Sequence, residues 1–272
     1  MVARNGSVEL AYDVAGPGEP LLMIMGLSGS RRAWGRLLPH LSGRVECITF
    51  DNRGTGDSDG VRGLLSMDDM VADALAVLDA AGHDSAHVIG VSMGGMIAQH
   101  VALEHRDRVR SLILGCTTPV GRNGAPPWRL LSATALRPLV GSARTFRLVA
   151  PALYAERTRR EHPDRIQDDL QLRLQDATSV RTSIAQLAAI SRHDTRRRLA
   201  ELGGLEVTIL HGEEDALVPI EAGVALADAI PGARMVGLPG CGHMLTTDAE
   251  EPTAAAVIEH LGRAGALPAA AA

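Results

Sequence analysis

Short apolar blocks alternate along this chain with longer stretches of helical spacing. Residues 8–12 read as an edge strand ended by Gly16-Pro17-Gly18, and residues 21–25 and 45–50 read as buried strands. Over residues 67–81 the apolar positions Met70, Val71, Leu75 and Leu78 share one side of a helix. A strand at 87–89, a helix at 93–103 and strands at 112–114, 207–210 and 235–238 continue the alternation. A helix containing 257–261 closes it, and the low-complexity tail 264–272 predicts a frayed end. Continuous apolar strands separated by helices predict an α/β class, with a mostly parallel sheet covered on both faces.

The alternation stops between Pro119 and Ala200. There Pro126, Pro127, Pro138, Pro151 and Pro163 punctuate helical segments without a convincing strand. The chain therefore divides into a core, residues 1–118 and 201–272, and a helical lid, residues 119–200, over the carboxyl edge of the sheet. The lid carries 15 arginines against 7 acids, whereas the rest carries 12 arginines against 25 acids. Solvated helix faces explain most such charge. The sharper reading is attraction of an anionic substrate towards the cleft.

Composition narrows the classes. At 272 residues, with 46% apolar and 22% charged residues, the chain suits one globular α/β domain with an insertion. A net charge of −5 and 2% aromatic residues argue against nucleic acid as a partner. The first twenty residues lack a signal-peptide apolar region, and 21–25 is too short to span a membrane. The expectation is a cytoplasmic protein without a membrane partner. Cys47, Cys116 and Cys241 read as buried reduced thiols. Asn5-Gly6-Ser7 is a formal glycosylation sequon that means little without a secretory signal.

Against that background one pentapeptide stands out. Gly90-Val91-Ser92-Met93-Gly94 places a serine between a short apolar strand and a helix, the context of a G-x-S-x-G nucleophile elbow. Gly90 and Gly94 leave room for the chain to fold back on so tight a turn. A serine hydroxyl needs a base to take its proton, usually a histidine oriented by a carboxylate. These should follow in the order acid, then histidine. Asp215 comes just after the strand ending at Leu210, and His243 just after the strand ending at Leu238. Three candidates at three strand ends are more specific than any one, because functional groups gather at the carboxyl ends of strands. Glu213, Glu214, Asp228 and Asp248 are competing acids, and His211 reads as structural. His87, His100 and His105 sit in or beside regular elements, where packing or surface roles are expected. For the oxyanion, the backbone N–H of Met93 is one donor. Leu27, following the tight turn at Gly26, is the choice for the second. Ser28 and Ser30 read as turn or capping hydroxyls.

With these residues the chain resembles the α/β-hydrolase superfamily over nearly its full length. It looks most like the lid-bearing branch of bacterial esterases, enol-lactonases and cofactor-free haloperoxidases. The matching pieces are Met25-Gly26-Leu27, the segment from Asp51 to Ser58, the elbow with Gly95, His211-Gly212-Glu213-Glu214-Asp215, and Gly242-His243. The resemblance implies an eight-stranded, mostly parallel sheet flanked by helices, and a Ser92–His243–Asp215 triad. It also implies a structural role for the Asp51 to Ser58 loop. One departure is Met25-Gly26, where related chains carry His-Gly; the backbone donor survives that change. The implied activity is hydrolysis of a small ester or lactone through an acyl-enzyme, without cofactor or metal. A carboxylate-bearing lactone such as 3-oxoadipate enol-lactone is the specific guess. Serine at the elbow argues against the aspartate-dependent dehalogenase and epoxide-hydrolase branches. Thioester or carbon–carbon bond hydrolysis stays open, as does a small-molecule receptor with slow turnover. Trp128, Leu131, Phe146, Leu153 and Tyr154 are the lid side chains expected to set specificity, and Trp34 either lines the cleft or packs.

Overall fold

The computed structural model describes residues 1–121, 137, 139–176 and 178–267. Its strands are β1 (Val2–Asn5), β2 (Val8–Ala15), β3 (Pro20–Ile24), β4 (Glu46–Phe50), β5 (Ala86–Val91), β6 (Val109–Gly115), β7 (Glu206–Gly212) and β8 (Arg234–Leu238). They form one eight-stranded sheet in the order β1-β2-β4-β3-β5-β6-β7-β8. The β1–β2 and β2–β4 pairs are antiparallel, and every later pair is parallel.

The helices are α1 (Leu38–Leu41), α2 (Met67–Ala80), α3 (Met93–Glu104), α4 (Ser142–Leu153), α5 (Glu156–Glu161), α6 (Pro163–Gln175), α7 (Val180–Ile190), α8 (Ile220–Ala229), α9 (Leu245–Asp248) and α10 (Glu250–Arg263). A capping box of Ser66 and Asp69 starts α2. Alternate residues of the central strands feed two cores. Leu22, Ile24, Val88, Leu112 and Leu114 pack with α2 and α3, while Leu21, Met23, Ile89 and Ile113 pack with Val257 and Leu261 of α10. That two-sided burial is why these strands are apolar without alternation.

Residues 8–12 are not at the sheet edge: β1 lies outside them. The hairpin turns on Asn5-Gly6-Ser7, with Gly6 at φ +58. Asn5 pairs with Val8, so the two-residue turn is Gly6-Ser7, with glycine at the first central position as in a type II′ hairpin. The sequon is thus a turn, with the Asn5 amide donating to Asp73. Between β6 and β7 the chain inserts α4, α5, α6 and α7, with one isolated bridge, Val120 to Asp194, and no strand among the described residues. Among the described residues no helix is long and apolar enough to cross a membrane.

A buried polar line runs beneath α10. Arg263 donates to Thr208 Oγ1 at 2.8 Å, so the Thr208 hydroxyl donates onward to His260 Nδ1 at 2.8 Å. His260 Nε2–H then donates to Ser111 at 2.7 Å, and Ser111 to His87 Nδ1 at 2.7 Å. Burial, with Arg263 and His87 adding to it, lowers the His260 pKa from 6.5 to about 3. The unfolded chain therefore binds the proton that the folded chain refuses. This contribution is fully present above pH about 6.5 and is lost progressively as the pH falls towards 3. Chemical denaturation should show about 2 kcal/mol lost through this group between pH 7 and 4.5. A His260→Gln variant should flatten that slope by one proton; an unchanged slope would sink the assignment.

Candidate active site

The turn after β5 puts Ser92 at φ 57, ψ −120, capping the N-terminus of α3. Such a conformation costs of order 1–3 kcal/mol and persists only when its surroundings over-determine it. Here the Ser92 amide donates to the Gly115 carbonyl at 2.8 Å, and its carbonyl accepts from Thr117 Oγ1 at 2.7 Å. A Cβ at Gly90 would lie 2.2 Å from the Gly94 oxygen, and one at Gly94 would lie 2.0 Å from the Ile24 oxygen. Both glycines are therefore steric requirements. Met93, the next residue, is buried at the start of α3, where its amide belongs to the helix's positive end.

Asp215 and His243 leave adjacent strand ends. A Cβ on Gly212 would sit 2.1 Å from the Gly242 oxygen, so the two loops touch. His243 Nδ1–H donates to Asp215 Oδ2 at 2.7 Å, and the amides of Leu217 and Val218 both donate to Oδ1 at 2.9 Å. Burial works against the Asp215 charge, yet His243, the Val218 amide and His211 hold its carboxyl below the usual range. The amides of His243 and Met244 donate to the Leu153 carbonyl at 2.8 and 3.1 Å, tying this loop to the end of α4. Asp248 accepts from the amides of Gly242 and Ala155 and so braces the same loop.

Ser92 and His243 line one cavity of about 350 Å³, together with Met25, Gly26 and Leu27. Gly26 is the close approach: a Cβ there would lie 3.0 Å from Ser92 Cβ. The Met25 side chain folds over Gly29, and its carbonyl accepts from Asn52 at 2.8 Å. Asp51 accepts from the Arg31 and Asp57 amides, and Ser58 from Ala11. The Asp51 to Ser58 loop thus braces its neighbours. The insertion forms the cavity's other wall, with Phe146, Leu153, Leu170 and Leu187 as its apolar part.

A sequence profile described as the alpha/beta hydrolase fold matches residues 19–249. The chain belongs to this family. A candidate carbamate hydrolase, RutD, from Azorhizobium caulinodans is 30% identical over 238 residues, covering 86% of this chain and 87% of its own. A thermophilic esterase from Thermogutta terrifontis, solved with malate bound, has a TM-score of 0.87 at 25% identity, covering 97% of this chain and 98% of its own. The enol-lactonase from Burkholderia xenovorans LB400 shares the fold, with a TM-score of 0.87 at 21% identity over 96% of this chain and 100% of its own.

Within this α/β-hydrolase several expected side chains fall elsewhere. Trp34 is wholly buried among Leu37 and Leu41 and does not line this cavity. Tyr154 does not line the cavity; its hydroxyl donates to Asp169 at 2.8 Å. Trp128 and Leu131 lie outside the described residues. Ser30 precedes a short 3-10 turn without capping it and donates to Asp176 instead. The three cysteines are buried and unpaired, and burial pushes the Cys47 thiol up to about 12.

Among the described residues Cys116, His211 and Asp215 are the group with metal-ligand spacing. Both oxygens of Asp215 are already occupied, His211 Nε2 donates to the Val218 carbonyl at 2.8 Å, and burial keeps the Cys116 thiol protonated. That trio is packing beneath the site. Sequence reasoning passed over Gln186, Ser183 and Asp176, whose side chains meet the loop of Ser28 and Ser30.

Proposed function

We propose that this chain is a serine hydrolase that cleaves a small ester or lactone through an acyl-enzyme. The observation that carries the reading is the Asp215–His243 hydrogen bond opening on the same cavity as the strained Ser92. Asp215 fixes the His243 proton on Nδ1, leaving Nε2 as the base. Nε2 takes the Ser92 proton as the hydroxyl oxygen attacks the carbonyl. The amides of Leu27 and Met93 stabilise the oxyanion. His243 returns the proton to the leaving alcohol, then activates water to release the acid. The helical insertion acts as the lid over this cavity.

An anionic group on the substrate fits the cavity's cations. Most lid arginines among the described residues point to solvent or pair with neighbouring acids, as Arg157 does with Glu161 and Arg198 with Glu201. Arg137 and Arg173 instead line the cavity. Arg137 donates to the Thr178 carbonyl at 2.5 Å, and burial alone lowers its pKa. Arg173 stacks over Phe146 at 5.6 Å. The cavity's acids are already engaged, Asp169 by Tyr154 and Thr247, and Asp176 by Ser30 and Arg32. The relative named for carbamates and the esterase solved with malate agree with acyl chemistry and an acidic ligand.

Steady-state hydrolysis of p-nitrophenyl butyrate, mono-p-nitrophenyl glutarate, a small lactone and a phenyl carbamate tests the reading. Many turnovers per site are expected, which a slow receptor would not give. The carboxylated ester should have the lower KM. Arg173→Ala should raise that KM about tenfold, the worth of one charge-assisted hydrogen bond, and leave the neutral ester unchanged. Equal effects on both esters would remove the anionic group from the reading.

A further inference from the structure

The turn beside Ser92 and the root of the helical insertion are joined at one residue, Ser28. Its φ is +56, a left-handed conformation uncommon outside glycine, asparagine and aspartate. The Gly29 amide donates to the Gly26 carbonyl at 3.1 Å, closing a four-residue turn. Closure with a positive φ at the third position marks a type II turn, where glycine is usual. Serine in that place needs outside support, and segment 178–186 supplies it to each of its polar groups. The Ser28 amide donates to Gln186 Oε1 at 3.0 Å. Its hydroxyl pairs with Ser183 Oγ at 3.0 Å, and its carbonyl accepts from Thr178 Oγ1 at 3.5 Å.

Gln186, on α7, is fully buried, and its Nε2 donates to the Arg53 carbonyl at 3.4 Å. Only one orientation of this amide serves both partners. Turned over, it would set a donor against the Ser28 N–H and an acceptor against the Arg53 carbonyl. The side chain thus ties three segments together: the turn, the loop after β4 and the insertion.

We propose that Gln186 is a positioning residue, which locks the Gly26–Gly29 turn so that the Leu27 amide stays aimed at the oxyanion. This rests on the serine-hydrolase reading above. In the type II form the peptide between Leu27 and Ser28 points its N–H at Gln186. Without that acceptor the turn relaxes towards type I, the commoner form for a non-glycine residue, by flipping this peptide. The flip turns the Leu27 carbonyl and the Ser28 N–H about the Leu27 Cα, so it pulls directly on the adjoining Gly26–Leu27 peptide, which carries the donor N–H and approaches Ser92 at Gly26. A displacement of about 1 Å in such a group can cost about 10² in rate. The insertion and the oxyanion donor therefore act as one mechanical unit.

The test uses Gln186→Met, of similar length without the amide, and Gln186→Glu, which keeps an acceptor for Ser28. Active sites are counted by titration with a fluorophosphonate, and p-nitrophenyl butyrate is the substrate. For Gln186→Met, kcat per titrated site should fall about 10–100-fold, with KM within about threefold. Affinity for a trifluoromethyl ketone of the same chain length, whose adduct carries the oxyanion, should weaken in parallel. Gln186→Glu should lie closer to wild type in kcat. Arg181→Gln, on the exposed side of α7, is the control with unchanged activity. A Gln186→Met protein with wild-type kcat and inhibitor affinity, and only a lower Tm, overturns the inference. If that variant does not fold, Gln186→Asn, which withdraws the amide by one methylene, must show the same split or the inference fails. Turnover surviving in Ser92→Ala would overturn the hydrolase reading as well. A dead Ser92→Ala beside an unaffected Gln186→Met overturns this inference alone.

Discussion

Replacing Ser92 with alanine is expected to lower kcat by about 10⁵–10⁶-fold, with little change in thermal stability. Loss of a nucleophile in a serine triad costs about that much, because the remaining groups cannot form the acyl-enzyme. Stability should hold because the elbow does not depend on the hydroxyl. The turn is set by the Ser92 amide and carbonyl bonds and by the steric needs of Gly90 and Gly94. Alanine inherits the same left-handed strain and the same backbone partners. The checks are kcat on p-nitrophenyl butyrate, the Tm, and the mass added by a fluorophosphonate, which should vanish in the variant. Turnover within tenfold of wild type would show that Ser92 is not the nucleophile.

The residues that drew attention in the sequence did so through local patterns made meaningful by topology. Apolar runs gave the parallel strands, and parallel strands send their carboxyl ends to one edge. The ends of β5, β7 and β8 then bring Ser92, Asp215 and His243 to that edge without any residue needing to signal its partner. What stayed hidden is non-local. Gln186 lies 158 positions from the Ser28 amide that it accepts from. It sits in an amphipathic helix, where a buried glutamine leaves no period or spacing to read. Ser30 looked like a cap because capping is local; its partner, Asp176, lies 146 positions away. The first hairpin was legible in principle. Gly6-Ser7 carried the turn signal, but β1 has four residues and a mixed burial pattern, too short to show alternation.

Asp215→Asn should be nearly isosteric and still cost about 10⁴ in kcat, through the tautomer of His243. Two backbone amides, of Leu217 and Val218, converge on Asp215 Oδ1 at 2.9 Å. An asparagine must keep its carbonyl oxygen there, since its amide nitrogen would face two donors. The nitrogen then takes the place of Oδ2, 2.7 Å from His243 Nδ1. An N–H aimed at Nδ1 requires that nitrogen to be bare, so the ring proton moves to Nε2. His243 can then no longer accept the Ser92 proton. His211 cannot substitute, because it lies behind Asp215 and does not line the cavity that Ser92 and His243 share. The Asp215 carboxyl titrates below its ordinary range, so wild-type activity should not fall with its protonation above pH about 3.8. The variant should show a low kcat with KM within about threefold, and NMR of the His243 ring should report the proton on Nε2. A variant that keeps wild-type kcat would remove Asp215 from the mechanism, and a proton still on Nδ1 would refute the tautomer argument.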